Sequence, residues 1–158
     1  MIGLDTNVAV RLLVEDDAAQ TAAAVRLVRR AREESARLFV ADVVVCEISW
    51  VLRSCYGRSR EEIANALDLL AGVDAAEFES AGRVAAAIAA YREGKGDFSD
   101  YLLRESASAA GCAAVATFDR VLLKESGFVQ PDPARWGPDV SLREAAPPYV
   151  RRRGRRRR

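Results

Sequence analysis

Apolar positions along the chain fall into two patterns. Short unbroken runs punctuate longer stretches in which apolar residues recur at helical spacing, so the runs predict strands and the stretches predict helices. Met1-Ile2-Gly3-Leu4 reads as a first, buried strand, Leu38-Phe39-Val40 as a second, and Cys112 to Phe118 as a buried parallel strand near the end. Asp16 and Asp17 stand as cap and first-turn residues before a helix from Ala18 to about Ala36. Asp42 is placed to cap a helix that carries Val44, Ile48, Val51 and Cys55 and stops at Gly57. Ser59 with Glu62 forms a capping box ahead of a third helix, whose apolar stripe is Ile63, Leu67 and Leu70. Val73 to Phe78 fits a short strand or a loop. A fourth helix runs from Ala81 to about Tyr91, and Gly94 and Gly96 mark a loop after it. Asp97-Phe98-Ser99-Asp100 opens a fifth helix ending at Gly111, and a last helix spans Val121 to Glu125 before a Pro-rich stretch. Strands alternating with helices mean a parallel sheet flanked by helices.

Composition adds three constraints. At 158 residues, half of them apolar, the chain suits one domain with a real core. It has no apolar run near the ~20 residues of a membrane span and no signal-peptide pattern, so a cytoplasmic location without a membrane is expected. Cys46, Cys55 and Cys112 lie in apolar segments and read as reduced core residues. Histidine is absent. That excludes Ser-His-Asp and Cys-His sites, histidine-based ribonuclease chemistry and His-ligated zinc, and three cysteines cannot form a four-thiolate site. A hydrolase built from this chain must use carboxylates and a hard cation such as Mg²⁺ or Mn²⁺.

Four acids stand where an acid calls for explanation. Asp5, followed by Thr6 and Asn7, ends the first strand, and Asp119 ends the late one. Ligand sites in open α/β sheets gather beyond the carboxyl ends of strands, yet both residues are equally well placed to cap the next helix. Glu47 is the only charge in Val43 to Leu52, and a buried carboxylate there must be protonated, bound to a cation, or paired with an arginine such as Arg11 or Arg53. Asp100 falls in the first turn of its helix if Asp97 is the N-cap, where the helix dipole alone favours an acid. Jointly the four could face one edge of the sheet. Such a cluster repels itself unless a cation is present, and a divalent ion held there would bind phosphodiester oxygens and lower the pKa of a bound water.

Leu4-Asp5-Thr6-Asn7, Glu47 within Val45 to Leu52, Asp97-Phe98-Ser99-Asp100-Tyr101-Leu102-Leu103 and Ala116-Thr117-Phe118-Asp119 resemble the four acidic blocks of PIN-domain ribonucleases. More narrowly they resemble the VapC-type toxins of prokaryotic toxin–antitoxin systems, in order from Met1 to about Pro131. The resemblance implies a three-layer α/β/α sandwich with a central, mainly parallel sheet over residues 1–150. It also implies an Mg²⁺- or Mn²⁺-dependent endoribonuclease site in which Asp5, Glu47, Asp100 and Asp119 are the metal-site acids and Asp97 is an accessory one. Thr6, Asn7 and Thr117 would be nearby polar support. The block Asp100-Tyr101-Leu102-Leu103 departs from the family's usual Asp-Ala-Leu-Ile in placing a Tyr beside the site. By the same resemblance the substrate would be structured RNA such as tRNA or rRNA, cut to 5′-phosphate and 3′-hydroxyl ends. The protein would be a homodimer held by a cognate antitoxin, with the helices around Trp50, Val51 and Leu67 as partner surfaces or as plain core.

Other classes fit less well. A catalytically weak PIN-like RNA- or protein-binding module would keep the fold without needing all four acids. A haloacid dehalogenase phosphatase wants Asp-x-Asp where this chain has Asp5-Thr6-Asn7, and a receiver domain wants an acidic pair near the first strand. The charge is divided unevenly. Seven of the 24 basic residues lie in 151–158, leaving 17 against 23 acids, or −6 for the body and +7 for the tail. Arg151, Arg152, Arg153, Arg155, Arg156, Arg157 and Arg158 read either as a solvated disordered tail or as a salt-dependent attachment to RNA phosphates.

Overall fold

A computed structural model describes residues 1–132 and 134, so the end of the 1–150 domain and the arginine tail lie outside the described residues. The chain runs β1 (Ile2–Gly3), α1 (Thr6–Leu13), α2 (Ala18–Glu33), β2 (Leu38–Val40), α3 (Asp42–Ser54), α4 (Arg60–Ala71), β3 (Ala76–Phe78), α5 (Ala81–Glu93), α6 (Phe98–Ala109), β4 (Val115–Ala116), a 3₁₀ turn (Leu122–Lys124) and β5 (Phe128–Val129). Helices and parallel strands form the three-layer α/β/α arrangement. One sheet has the order β1-β2-β3, with Ile2 opposite Leu38 and Leu38 opposite Ala76. A second pair, β4 and β5, places Val115 opposite Phe128.

Local chemistry accounts for most element boundaries. The Asp17 carboxylate accepts from the N–H groups of Ala19 and Gln20, each at 3.0 Å, and starts α2. Ser59 and Glu62 close the capping box of α4, with the Ser59 N–H donating to Glu62 Oε2 at 2.8 Å. Ser80 caps α5 by accepting from the Arg83 N–H. Inside, Leu38, Val40, Val45, Ile48, Ile63, Leu67, Val84, Ile88, Phe98 and Tyr101 are buried in one core; the α4 stripe of Ile63, Leu67 and Leu70 faces inward, whereas of the α3 stripe Val44 and Ile48 are buried, Val51 is half-buried and Cys55 is exposed.

Several expectations are corrected. β1 is an edge strand with a partner on one side only, which leaves Met1 and Ile2 exposed instead of buried. The run Cys112 to Phe118 yields just two strand residues, because β4 pairs with β5 alone and Phe118 turns out to solvent. Ala41, not Asp42, is the N-cap of α3, and Asp42 sits in its first turn. The expected last helix is a single 3₁₀ turn. All three cysteines are free, but only Cys46 is half-buried, and Cys55 and Cys112 are exposed. Of the three residues read as partner surface or plain core, Leu67 is core, Val51 is half-buried and Trp50 is exposed. Helix α1 and strand β5 come in addition to the elements expected from the sequence. Among the described residues no helix is long and apolar enough to cross a membrane.

Candidate active site

The backbone delivers the N-terminal block to the start of a helix. Asp5 is the N-cap of α1 in extended geometry, yet its side chain makes no capping bond. Its carboxylate instead accepts from Asn7 Nδ2 at 3.3 Å, so it satisfies no backbone N–H of the helix. Thr6, buried at the first position of α1, donates its hydroxyl to Glu47 Oε2 and thereby joins this block to α3 across 41 residues of sequence.

Glu47 is exposed, contrary to the sequence expectation of a buried charge. The buried face of α3 is Val44, Val45, Ile48, Ser49 and Leu52, while Glu47 shares the opposite stripe with Val43 and Trp50. Neither arginine considered for it is its partner. Arg11 Nη1 pairs with Asp16 at 2.7 Å, and Arg53 reaches to Asp97. The second pair ties α3 to the N-terminus of α6, so that among the described residues the Glu47 carboxylate is held by a neutral hydroxyl and by no cation.

Asp97 caps α6, and its own N–H donates to Asp100 Oδ2 at 2.7 Å. Asp100 is half-buried, and burial pushes its carboxyl above the ordinary value of 3.8. The Asp97 N–H opposes that rise, and the charges of Asp97, Asp119 and Glu125 add to it. Asp119 lies in the loop after β4, where Oδ1 accepts from the Val121 N–H at 2.7 Å and Thr117 Oγ1 accepts from the Asp119 N–H at 3.0 Å. Of the two strand-end acids, then, Asp119 takes up the local turn-capping role and Asp5 does not. Cys46 reports the same field: burial first, then the charges of Asp42, Asp100 and Glu47, push its thiol up to about 11. At neutral pH it is a protonated thiol, not a nucleophile.

The set thus falls into two groups, Asp5, Thr6, Asn7 and Glu47 on one side and Asp97, Asp100, Thr117 and Asp119 on the other, with the half-buried Cys46 feeling charge from both. Among the described residues no three carboxylates or thiols lie close enough to share one ion. The donors themselves are oxygen atoms only, as Mg²⁺ and Mn²⁺ prefer, and Mg²⁺ commonly takes one or two carboxylates and completes its shell with water. The residues fit such an ion on those terms.

The raised carboxyl of Asp100 has a consequence for stability. A folded-state acid that binds its proton more tightly than the unfolded chain contributes stability below the unfolded value, and that contribution is lost as pH rises through the folded one. Asp100→Asn keeps an acceptor for the Asp97 N–H and removes the charge. In EDTA it should therefore melt higher than wild type at pH 7, and the gain should vanish below pH 3.8. Calorimetry across this range checks it, and an equal gain at both pH values would remove the electrostatic explanation.

A parallel α/β domain with carboxylates at its strand ends and helix starts, lacking histidine, belongs to the class that works with acids alone. Residues 2–126 match the PIN domain family, and the chain belongs to that family. PIN domains are generally nucleases, which makes this a nuclease-type fold of the hydrolase class, and they typically use divalent metals such as Mg²⁺. No curated protein matches the chain.

Proposed function

We propose that this protein is a divalent-metal-dependent endoribonuclease acting on structured cellular RNA, and the toxin of a toxin–antitoxin pair. The observation that carries the nuclease reading is the Thr6 hydroxyl held on Glu47 beside an Asp5 carboxylate that caps nothing. Thr6, the neighbour of Asp5, is joined there to Glu47 far along the sequence, and among the described residues neither acid is paired with a cationic side chain. Asp5 and Glu47, with Asp100 and Asp119, would hold Mg²⁺ or Mn²⁺. When bound, the ion supplies an activated water and offsets the charge that develops on the phosphate. Asn7 orients Asp5, and Thr6 restrains Glu47. Asp100 is favoured over Asp97 because Arg53 already takes the Asp97 carboxylate.

The toxin role, the antitoxin and the homodimer rest on the likeness of the four acidic blocks to VapC-type proteins. Val43 and Trp50, exposed on α3, offer apolar surface for a partner. The alternative, a catalytically weak RNA- or protein-binding module, draws support from the absence of a three-carboxylate cluster among the described residues. The two separate in one assay. Cleavage of tRNA and rRNA should require Mg²⁺ or Mn²⁺ and stop in excess EDTA, and binding without metal-dependent cleavage would favour the module.

A further inference from the structure

A cavity of about 630 Å³ opens between the α5–α6 loop, α6 and the 3₁₀ turn, outside the acidic groups described above. Asp100 and Asp119 of the second group lead directly into it. Tyr101 and Arg104 follow Asp100 along α6, and Val121 and Lys124 follow Asp119 into the turn; all four line the cavity, as does Lys95. The loop is continuous with the acidic group as well, since a Cβ placed on Gly96 would stand 3.2 Å from Asp100 Oδ2.

The charges in the cavity are unevenly engaged. Glu125 is occupied: Oε1 accepts from the Lys95 N–H at 2.8 Å and Oε2 from the Tyr101 hydroxyl at 2.7 Å. Arg104 pairs with Glu105 at 2.9 Å and lies over the Tyr101 ring. Lys95 and Lys124 are exposed and have no ion-pair partner among the described residues. Glu93 and Glu125, both on the wall, carry the acidic charge that works against them. Two free ammonium groups around a concave, polar-walled space suit a diffuse anion that is fixed beside the acidic group.

We infer that this cavity binds the phosphate backbone of the RNA strand next to the scissile position, with Lys95 and Lys124 as its cationic contacts. The inference rests on the ribonuclease reading for its ligand. It answers a physical problem, because a body with an excess of acids repels RNA unless cations are concentrated where the strand enters. The lysines act as binding residues and take no part in bond breaking.

The test uses the full chain in EDTA, with fluorescently labelled single-stranded poly(U), measuring affinity across a salt series. Lys95→Met with Lys124→Met should weaken binding ~10-fold and lower the salt slope by roughly 1 to 2. Glu93→Gln should tighten binding. A charge-matched control, Arg26→Ala with Arg29→Ala on α2, should leave the slope nearer to wild type. If the control pair lowers affinity and slope as much as the lysine pair, or the lysine pair changes neither, the cavity assignment is overturned. Metal-dependent cleavage in wild type together with lysine-independent binding defeats the cavity alone. Lysine-dependent binding without any metal-dependent cleavage supports the cavity and defeats the nuclease reading.

Discussion

Asp5→Ala is expected to lower RNA cleavage by on the order of 10²–10³-fold or more, the loss that follows removal of a group acting on developing charge, while changing stability by less than about 0.5 kcal/mol. The two halves of that expectation come from the same geometry. A working N-cap costs about 1 kcal/mol when replaced by Ala, because a backbone N–H loses its acceptor. The Asp5 carboxylate accepts no such bond; it meets only the Asn7 amide, at the surface. Helix α1 therefore loses no hydrogen bond with it. Urea denaturation and an initial-rate assay on the same preparation separate the roles. Unchanged cleavage, or a stability loss of a full cap, would return Asp5 to being an ordinary capping residue.

Gly94→Ala should destabilise the protein by about 1–3 kcal/mol, the range for forcing extra volume into a packed site. A Cβ at Gly94 would stand 1.8 Å from the Tyr101 hydroxyl and 2.6 Å from its ring. Tyr101 cannot retreat. It is fully buried, it packs against Tyr91 with ring centroids 6.4 Å apart, and its hydroxyl accepts from the Gly96 N–H at 2.9 Å while donating to Glu125. Nor can the loop move freely, since Arg60 binds the carbonyls of Tyr91 and Gly96 at 2.6 and 2.9 Å. In a Tyr101→Ala background the same Gly94 change should cost far less, because the clash partner is gone. A double-mutant cycle by chemical denaturation measures this; additive losses would mean that the loop and Tyr101 do not share the space.

That pair also explains the departure noted at position 101. A Tyr replaces a small residue beside Asp100, and the chain accommodates it with a glycine seven residues earlier and an acid 24 residues later. In the sequence, Gly94-Lys95-Gly96 reads as a generic loop signal. Its specific requirement, close approach to a buried phenol, exists only once α5, α6 and the 3₁₀ turn are packed together.

The sequence by itself determined the helical stripes, the caps at Asp17 and Ser59, the alternation that makes an α/β fold, and the restriction to carboxylate chemistry. These are local or compositional properties, decided by residues within a turn or two of one another, or by the absence of histidine from the whole chain. It also singled out the acidic blocks, because an acid at a strand end or inside an apolar run stands out from its neighbours, even where, as at Glu47, the side chain faces solvent. What only the tertiary structure decided is which charges meet. Arg53 goes to Asp97 and not to Glu47, Thr6 finds Glu47 on another helix, and Glu47 itself faces outward because the buried stripe of α3 lies on its other side. The exposure of β1 and β4 was likewise invisible in their apolar composition. A strand's burial depends on how many neighbours it has, and that is a property of the assembled sheet.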